Sequence, residues 1–112
     1  IYQDVSETLK KLSWKHTLGI FSQGNEELQR RKLDAAGIKK YFKDEHIIIS
    51  TRKLSDEAIE LLPRDATLVD NKHDVVTALQ KFANVIWLNR KTEDQDPDIQ
   101  TVHSLYELIT NN

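Results

Sequence analysis

The 112-residue sequence contains no cysteine, no methionine and only two prolines. Without cysteine, the chain has no disulfide framework, thiolate zinc site or cysteine nucleophile, and this composition suits a reducing compartment such as the cytoplasm. The missing methionine indicates that position 1 is not the natural start. No apolar run approaches the roughly 20 residues of a membrane helix, and the first residues show no signal-peptide pattern. We therefore expect a cytoplasmic protein with no membrane partner.

The composition is that of an ordinary globular protein. Apolar residues make up 38% of the chain, charged residues make up 30%, and the net charge is −2. A nucleic-acid-binding domain would be clearly basic, so no nucleic-acid partner is expected. A single domain spanning residues 1–112 is predicted, since a domain of this size can bury roughly two-thirds of its unfolded surface.

Short apolar, β-branched runs alternate with stretches of helical periodicity along the chain. This order predicts a parallel sheet with helices on both faces, which is a three-layer α/β/α sandwich. The predicted strands are 17–22, 46–50, 66–70 and 85–89. The predicted helices are 4–15, 26–36, a short helix opened by Ser55, 74–82 with Val75, Val76, Leu79 and Phe82 inward, and a last helix carrying Val102, Leu105, Leu108 and Ile109.

Polar residues follow the first predicted strand. Ser22 ends the strand, and Gln23, Gly24 and Asn25 lead into the next helix. A hydroxyl and backbone N–H groups beside a helix N-terminus can bind a phosphate group. The alternative is that Ser22 or Asn25 only caps the helix while Gly24 makes the turn.

Three further residues could carry phosphate or metal chemistry. Lys53 follows the second strand and could neutralise a phosphoryl group, although a loop lysine is usually only solvated. Asp70 ends the third strand, and Asp74 follows one helical turn later. The carboxyl edge of a parallel sheet is where open α/β folds place their sites. The alternative for Asp74 is a capping role in the helix that follows it.

Two other features are interpreted as structural. The four histidines show no metal-ligand spacing, and His73 is interpreted as a surface loop residue near the site. The acidic segment from Lys91 to Asp98 is interpreted as a solvated connection between elements.

Taken together, a hydroxyl, a lysine and an aspartate at the ends of successive strands resemble the motif order of the haloacid dehalogenase superfamily. The segment 18–22 resembles the second motif of that family, Lys53 the third and 68–74 the fourth. The segment 34–42 is similar to the one that usually separates the second and third motifs. The resemblance covers nearly the whole chain, as the C-terminal part of a core domain.

The resemblance implies a Mg²⁺-dependent hydrolase, most often a phosphatase of small phosphate esters acting through an aspartyl-phosphate. Ser22 and Gln23 would bind the phosphate, Lys53 would offset its charge, Asp70 would hold the metal, and Asp74 would position Lys53 or a water. The family's nucleophilic aspartate ends an earlier strand, and its cap selects the substrate; both are absent here. We therefore expect a fragment that is inactive alone and lacks the first, central strand of its sheet.

Two departures from the family pattern keep a second function open. Lys53 is followed by Leu54, where proline is common, and the fourth motif begins with Asp70 and Asn71 in place of two aspartates. The alternative is a non-catalytic module with the same fold that binds a protein partner. A signalling receiver-type domain is disfavoured, because its chemistry requires acids first, then the hydroxyl, then the lysine.

The missing strand gives a structural test. In the resembled fold it lies between the strand ending at Ser22 and the strand ending at Asp70. These two strands should therefore not pair directly, and a hole or exposed groove is expected between them.

Overall fold

The computed structural model describes residues 3–110, which form helices and short parallel strands in alternation. Two single-turn 3₁₀ helices, Lys39–Tyr41 and Asp44–His46, precede the second strand. The α-helices are α1 (Gln3–Leu12), α2 (Glu26–Ala36), α3 (Asp56–Glu60), α4 (His73–Leu79) and α5 (Glu107–Thr110); the strands are β1 (Ile20–Gln23), β2 (Ile47–Ser50), β3 (Thr67–Asp70), β4 (Asn84–Leu88) and β5 (Gln100–Val102).

The chain divides into two compact units, the first ending at Leu61 and the second beginning at Leu62. In the first unit, β1 and β2 pair in parallel, from Ile20 opposite Ile47 to Gln23 opposite Ser50. Helix α2 packs on β2. The prediction of one domain over residues 1–112 stays a prediction.

Helix α2 has the boundaries that its sequence predicts. The Asn25 side chain accepts a hydrogen bond from the N–H of Leu28 at 3.0 Å, so Asn25 is the N-cap. Gly37 ends the helix with φ at 72°, a left-handed conformation that favours glycine. Of the two capping candidates in this turn, Asn25 is therefore the one that caps α2.

In the second unit, β3, β4 and β5 form a parallel sheet in that order. Helix α4 packs on β3 and β4. The strand side chains Ile86, Leu88 and Val102 form a buried cluster, against which Leu105 and Leu108 pack. The other buried apolar side chains of this unit are Val75, Val76, Leu79 and Ile99.

Helix α1 buries polar residues together with apolar ones. Val5, Leu9 and Leu12 are half-buried, as their spacing predicts. The most deeply buried residues are instead Asp4, with 5% of its surface exposed, and Thr8, with 1%. They lie one helical turn apart on the same side as the apolar residues.

Three predictions about the second unit are wrong. Val102 lies in a fifth strand that pairs with β4, rather than in the last helix. The Phe82 side chain is exposed because α4 ends at Leu79, three residues before it. The cover expected on both faces of the sheet does not extend to β3, since Val69 is exposed on this outer strand.

The described strands fall into two sheets. Within residues 3–110, β1 pairs only with β2, and β3 pairs only with β4. The strands that end near Ser22 and at Asp70 therefore belong to separate sheets. The α/β class with parallel strands is confirmed. Among residues 3–110, none of the helices has the length and apolar character of a membrane span.

Candidate functional site

The predicted site residues are divided between the two units. Ser22, Gln23 and Lys53 belong to the first unit, whereas Asp70 and Asp74 belong to the second. All except Asp74 lie at or just beyond the carboxyl end of a parallel strand. Their convergence in one site stays a prediction.

Gln23 and Lys53 are brought together in the first unit. The side-chain oxygen Oε1 of Gln23 accepts a hydrogen bond from the Lys53 backbone N–H at 3.0 Å. The ammonium nitrogen of Lys53 lies 5.3 Å from the centroid of the Phe21 ring, within the range of a cation–π contact. The end of β1 thus fixes the loop that carries Lys53.

Ser22 has different surroundings. Successive side chains point to opposite faces of a strand, so Ser22 lies on the face opposite Phe21 and Gln23. It lines a mainly apolar cleft of about 230 Å³ in the first unit. The other residues of this cleft are Ile20, Gln29, Lys32, Leu33, Ala36, Ile38 and Ile49.

The turn after β1 depends on Gly24. Its φ is 144°, and its N–H donates to the carbonyl oxygen of Ser50 at 2.9 Å. The amide nitrogen of Gln29 donates to the Gln23 carbonyl at 3.0 Å, and a Cβ at Gly24 would lie only 2.5 Å from that nitrogen. The positive φ therefore favours glycine at this position, and a Cβ would in addition displace the Gln29 side chain.

In the second unit, Asp70 ends β3 opposite Trp87 of β4. Its carboxylate oxygen Oδ1 accepts a hydrogen bond from the Lys72 N–H at 2.9 Å. Lys72 occupies the N-cap position of α4 without a side-chain cap, and Asp74 is the second residue of that helix. The alternative role of Asp74 as the helix cap is therefore wrong.

The structure adds two residues that the sequence did not assign to the site. His73 is the first residue of α4, and its Nε2 lies 2.6 Å from Oδ2 of Asp96 in the acidic segment. The Asp96 side chain is only 15% exposed, compared with 49% for His73. The His73 hydrogen bond is the main cause that lowers the pKa of Asp96, and the Asp98 N–H adds to it.

Both interpretations of this region therefore need correction. His73 opens a helix and makes specific contacts, rather than lying in a surface loop. The acidic segment is mostly exposed, as predicted, but Asp96 is not one of its solvated side chains. Sequence spacing could not reveal the pair, because 23 positions separate the two residues.

The donor atoms at the end of β3 are of the kind that Mg²⁺ prefers, since Asp70 offers a carboxylate. Within residues 3–110, however, no group of three or more histidine, aspartate or glutamate side chains could enclose a metal ion. The Asp70 carboxylate therefore suits Mg²⁺ in its chemistry, and its role as a metal ligand stays a prediction.

Comparison with known proteins identifies a fold. No protein-family model and no curated protein matches the sequence. Among solved structures, the chain is similar to a HAD phosphatase from Thermococcus onnurineus, with a TM-score of 0.73 and 23% sequence identity. The similarity covers 99% of this chain but only 57% of the phosphatase chain. This chain therefore has a haloacid dehalogenase-like α/β fold and spans little more than half the length of that phosphatase chain.

Proposed function

We propose that the chain is part of a Mg²⁺-dependent phosphatase that hydrolyses small phosphate esters. The observation that carries the proposal is the placement of the polar residues within this fold. Gln23 ends a parallel strand, Lys53 lies in the loop after the neighbouring strand, and Asp70 ends a third. The solved structure with the similar fold is described as a phosphatase.

In this proposal the residues of the first unit bind the phosphoryl group. The Lys53 ammonium offsets its negative charge, and the Gln23 amide supplies a hydrogen bond. The Ser22 hydroxyl lies on the other face of β1, so its bond to the same phosphoryl group stays a prediction. The contact between Gln23 and the Lys53 backbone supports this assignment, because a positioned donor stabilises developing charge better than a mobile one.

The residues of the second unit hold the metal and organise its surroundings. Asp70 would ligate Mg²⁺, which when bound would neutralise charge on the phosphoryl oxygens. Asp74 would position Lys53 or a water molecule. The nucleophile is assigned to an aspartate outside this chain, which would displace the alcohol of the ester and form an aspartyl-phosphate; water would then cleave it to phosphate and the free carboxylate. We therefore expect the 112 residues alone to be inactive. The absence of cysteine supports a cytoplasmic location.

The test is hydrolysis of an aryl phosphate by the full-length protein, with and without Mg²⁺. We expect Asp70→Asn to lower kcat by more than about 100-fold, since even outer partners of a metal ligand typically contribute about 10- to 100-fold. The matched control is Asp65→Asn, which removes the same charge from an exposed residue before β3 begins. This control should retain full activity.

The outcome also separates the two candidate functions. Mg²⁺-dependent turnover that Asp70→Asn abolishes and Asp65→Asn preserves supports the phosphatase. Absence of turnover in a folded full-length protein, across a panel of aryl and alkyl phosphates, would favour the non-catalytic binding module.

A further inference from the structure

The segment that joins β3 to α4 is held at both ends by residues outside it. Near its start, the indole Nε1 of Trp87 donates to the carbonyl oxygen of Asn71 at 3.2 Å. At its end, His73 is bound to Asp96. The His73 and Trp87 rings also meet edge to face, with centroids 4.6 Å apart and an angle of 66° between the ring planes. One cluster of side chains thus contacts both ends of the segment that follows Asp70.

Asp96 is itself held in place. Its Oδ1 accepts a hydrogen bond from the Asp98 N–H at 2.7 Å, and its own N–H donates to the Thr101 hydroxyl at 3.1 Å. Thr101 lies opposite Trp87, which lies opposite Asp70, so these residues form one row across the three strands. The carboxylate that binds His73 is therefore anchored to the same sheet edge that carries Asp70.

The Asp70 carboxylate depends on the geometry of this segment, because its Oδ1 accepts from the Lys72 N–H. A shift of residues 71–73 would move that donor and so remove one of the bonds that orient the carboxylate. We infer that Asp96 and His73 are positioning residues, whose bond fixes the segment 71–73 and thereby the direction of the Asp70 carboxylate. This inference rests on the proposed function, since it gives the pair a role toward the substrate and metal that Asp70 serves.

The pair therefore extends the proposed site into the acidic segment. Outer partners that orient a metal-binding carboxylate typically contribute about 10- to 100-fold to metal affinity or activity. Such partners act on kcat and metal affinity, and they have little effect on KM when they do not touch the substrate.

The experiment compares variants of the full-length protein by aryl phosphate hydrolysis, Mg²⁺ titration calorimetry and amide hydrogen exchange over residues 71–76. We expect His73→Ala to lower kcat and Mg²⁺ affinity about tenfold or more, with KM nearly unchanged and faster exchange in this segment. His73→Gln should restore most of the loss, because its terminal amide can donate to Asp96 from about the position of Nε2. Asp96→Asn should likewise lower kcat and Mg²⁺ affinity and make exchange in this segment faster.

The control is Asp98→Asn, which removes an equal charge from the same acidic segment and leaves the Asp98 N–H to Asp96 in place. It should behave as the unmodified protein. Melting temperatures establish that each variant folds. If His73→Ala does not fold, His73→Gln is compared with the unmodified protein in its place.

Each result decides the inference. Unchanged kcat and Mg²⁺ affinity in His73→Ala and Asp96→Asn, with Asp70→Asn inactive, would overturn the positioning role and leave the phosphatase proposal intact. Equal losses in His73→Gln and His73→Ala would also overturn it. If the unmodified protein and Asp70→Asn are equally inactive, the proposed function fails and the positioning role fails with it.

Discussion

At the scale of single residues, polar side chains in this chain mainly satisfy the backbone groups that helices and strands leave unpaired. Asn25 and Ser55 cap helices through their side chains, and the Asp70 carboxylate accepts from a backbone N–H two residues later. Each of these bonds fixes the direction of the chain at the end of an element. The same residue types that suggest chemistry in the sequence therefore also shape the backbone around it.

Glu107 gives a prediction for the pH dependence of stability. Its Oε2 accepts hydrogen bonds from the backbone N–H groups of His103, at 2.5 Å, and Ser104, at 2.9 Å. The His103 bond is the main cause that lowers the pKa of Glu107 below its ordinary value of 4.5. A lowered pKa means that the folded state favours the carboxylate, so this stabilisation is present above about 4.5 and is lost as the pH falls through the folded-state pKa.

We therefore expect Glu107→Gln to lower the melting temperature at pH 7, and this difference from the unmodified protein to shrink as the pH falls below 4.5. Melting curves from pH 7 to pH 2.5 measure it, with the exposed Glu93→Gln as the control. A difference that stays constant with pH would show that the carboxylate charge does not contribute.

Gly24 gives a second prediction at this scale. Its φ of 144° is rarely adopted by other residues, and a Cβ would displace the Gln29 amide from the Gln23 carbonyl. We expect Gly24→Ala to lower the free energy of unfolding by about 1–3 kcal/mol, as measured by urea denaturation. Gly37→Asn is the control, because Asn tolerates the left-handed conformation and no atom lies within 4 Å of a Cβ there. Equal stability of Gly24→Ala and the unmodified protein would contradict this account.

At the scale of elements, the sequence predicts what is local and misses what depends on tertiary contacts. Helix α2 is predicted with its boundaries because its acidic start, Asn25 and Gly37 are neighbours in sequence. Strand β5 is missed because its three residues form a strand only by pairing with β4. Burial of Asp4 on α1 is missed for a similar reason, since the helical spacing identifies the face but not how completely it is covered.

The residues of the candidate site also differ in whether the sequence alone reveals them. Gln23, Lys53 and Asp70 are found from the sequence because they follow apolar runs at the ends of strands. The bond between His73 and Asp96 is not, because it requires the loop between β4 and β5 to fold back toward α4. Sequence periodicity carries no information on the path of such a loop.

The Asn89 side chain holds the start of the loop between β4 and β5, and it gives a prediction for this loop. Its side chain is buried, and its Nδ2 donates to the Thr92 hydroxyl at 2.7 Å and to the Asp94 carbonyl at 3.1 Å. Its Oδ1 accepts from the N–H groups of Lys91 and Thr92, each at 3.2 Å. One side chain thus satisfies several backbone groups at the start of the loop.

We expect Asn89→Ala to lower the free energy of unfolding by about 1–3 kcal/mol, because it removes several part-buried hydrogen bonds at the start of the loop. Urea denaturation measures the change, and hydrogen exchange should show faster exchange at Lys91 and Thr92. The control is Asn84→Ala, at the exposed start of β4, the strand that Asn89 follows. If both variants lose the same stability, the hydrogen-bonded role of Asn89 is wrong.

At the scale of the whole molecule, the described chain holds two parallel sheets where the similar phosphatase fold extends over a longer chain. Strand β1 pairs on one side with β2, and β3 pairs on one side with β4. A strand with a neighbour on one side only exposes the backbone N–H and C=O groups of its other edge, and these groups favour pairing with a further strand. The proposed upstream strand would supply a partner for β1 and for β3.

This proposal predicts a difference between the 112 residues alone and a longer protein that includes the upstream segment. We expect the longer protein to melt at a higher temperature, and the backbone amides of β1 and β3 that do not face β2 or β4 to exchange more slowly, because the added strand would accept their hydrogen bonds. Amides of β5 serve as the internal control, since the added strand would not pair with β5 and their exchange should change only with global stability. Equal exchange of the β1 and β3 amides in the two proteins would show that no upstream strand joins these sheets, and the proposed position of the nucleophile would then be wrong.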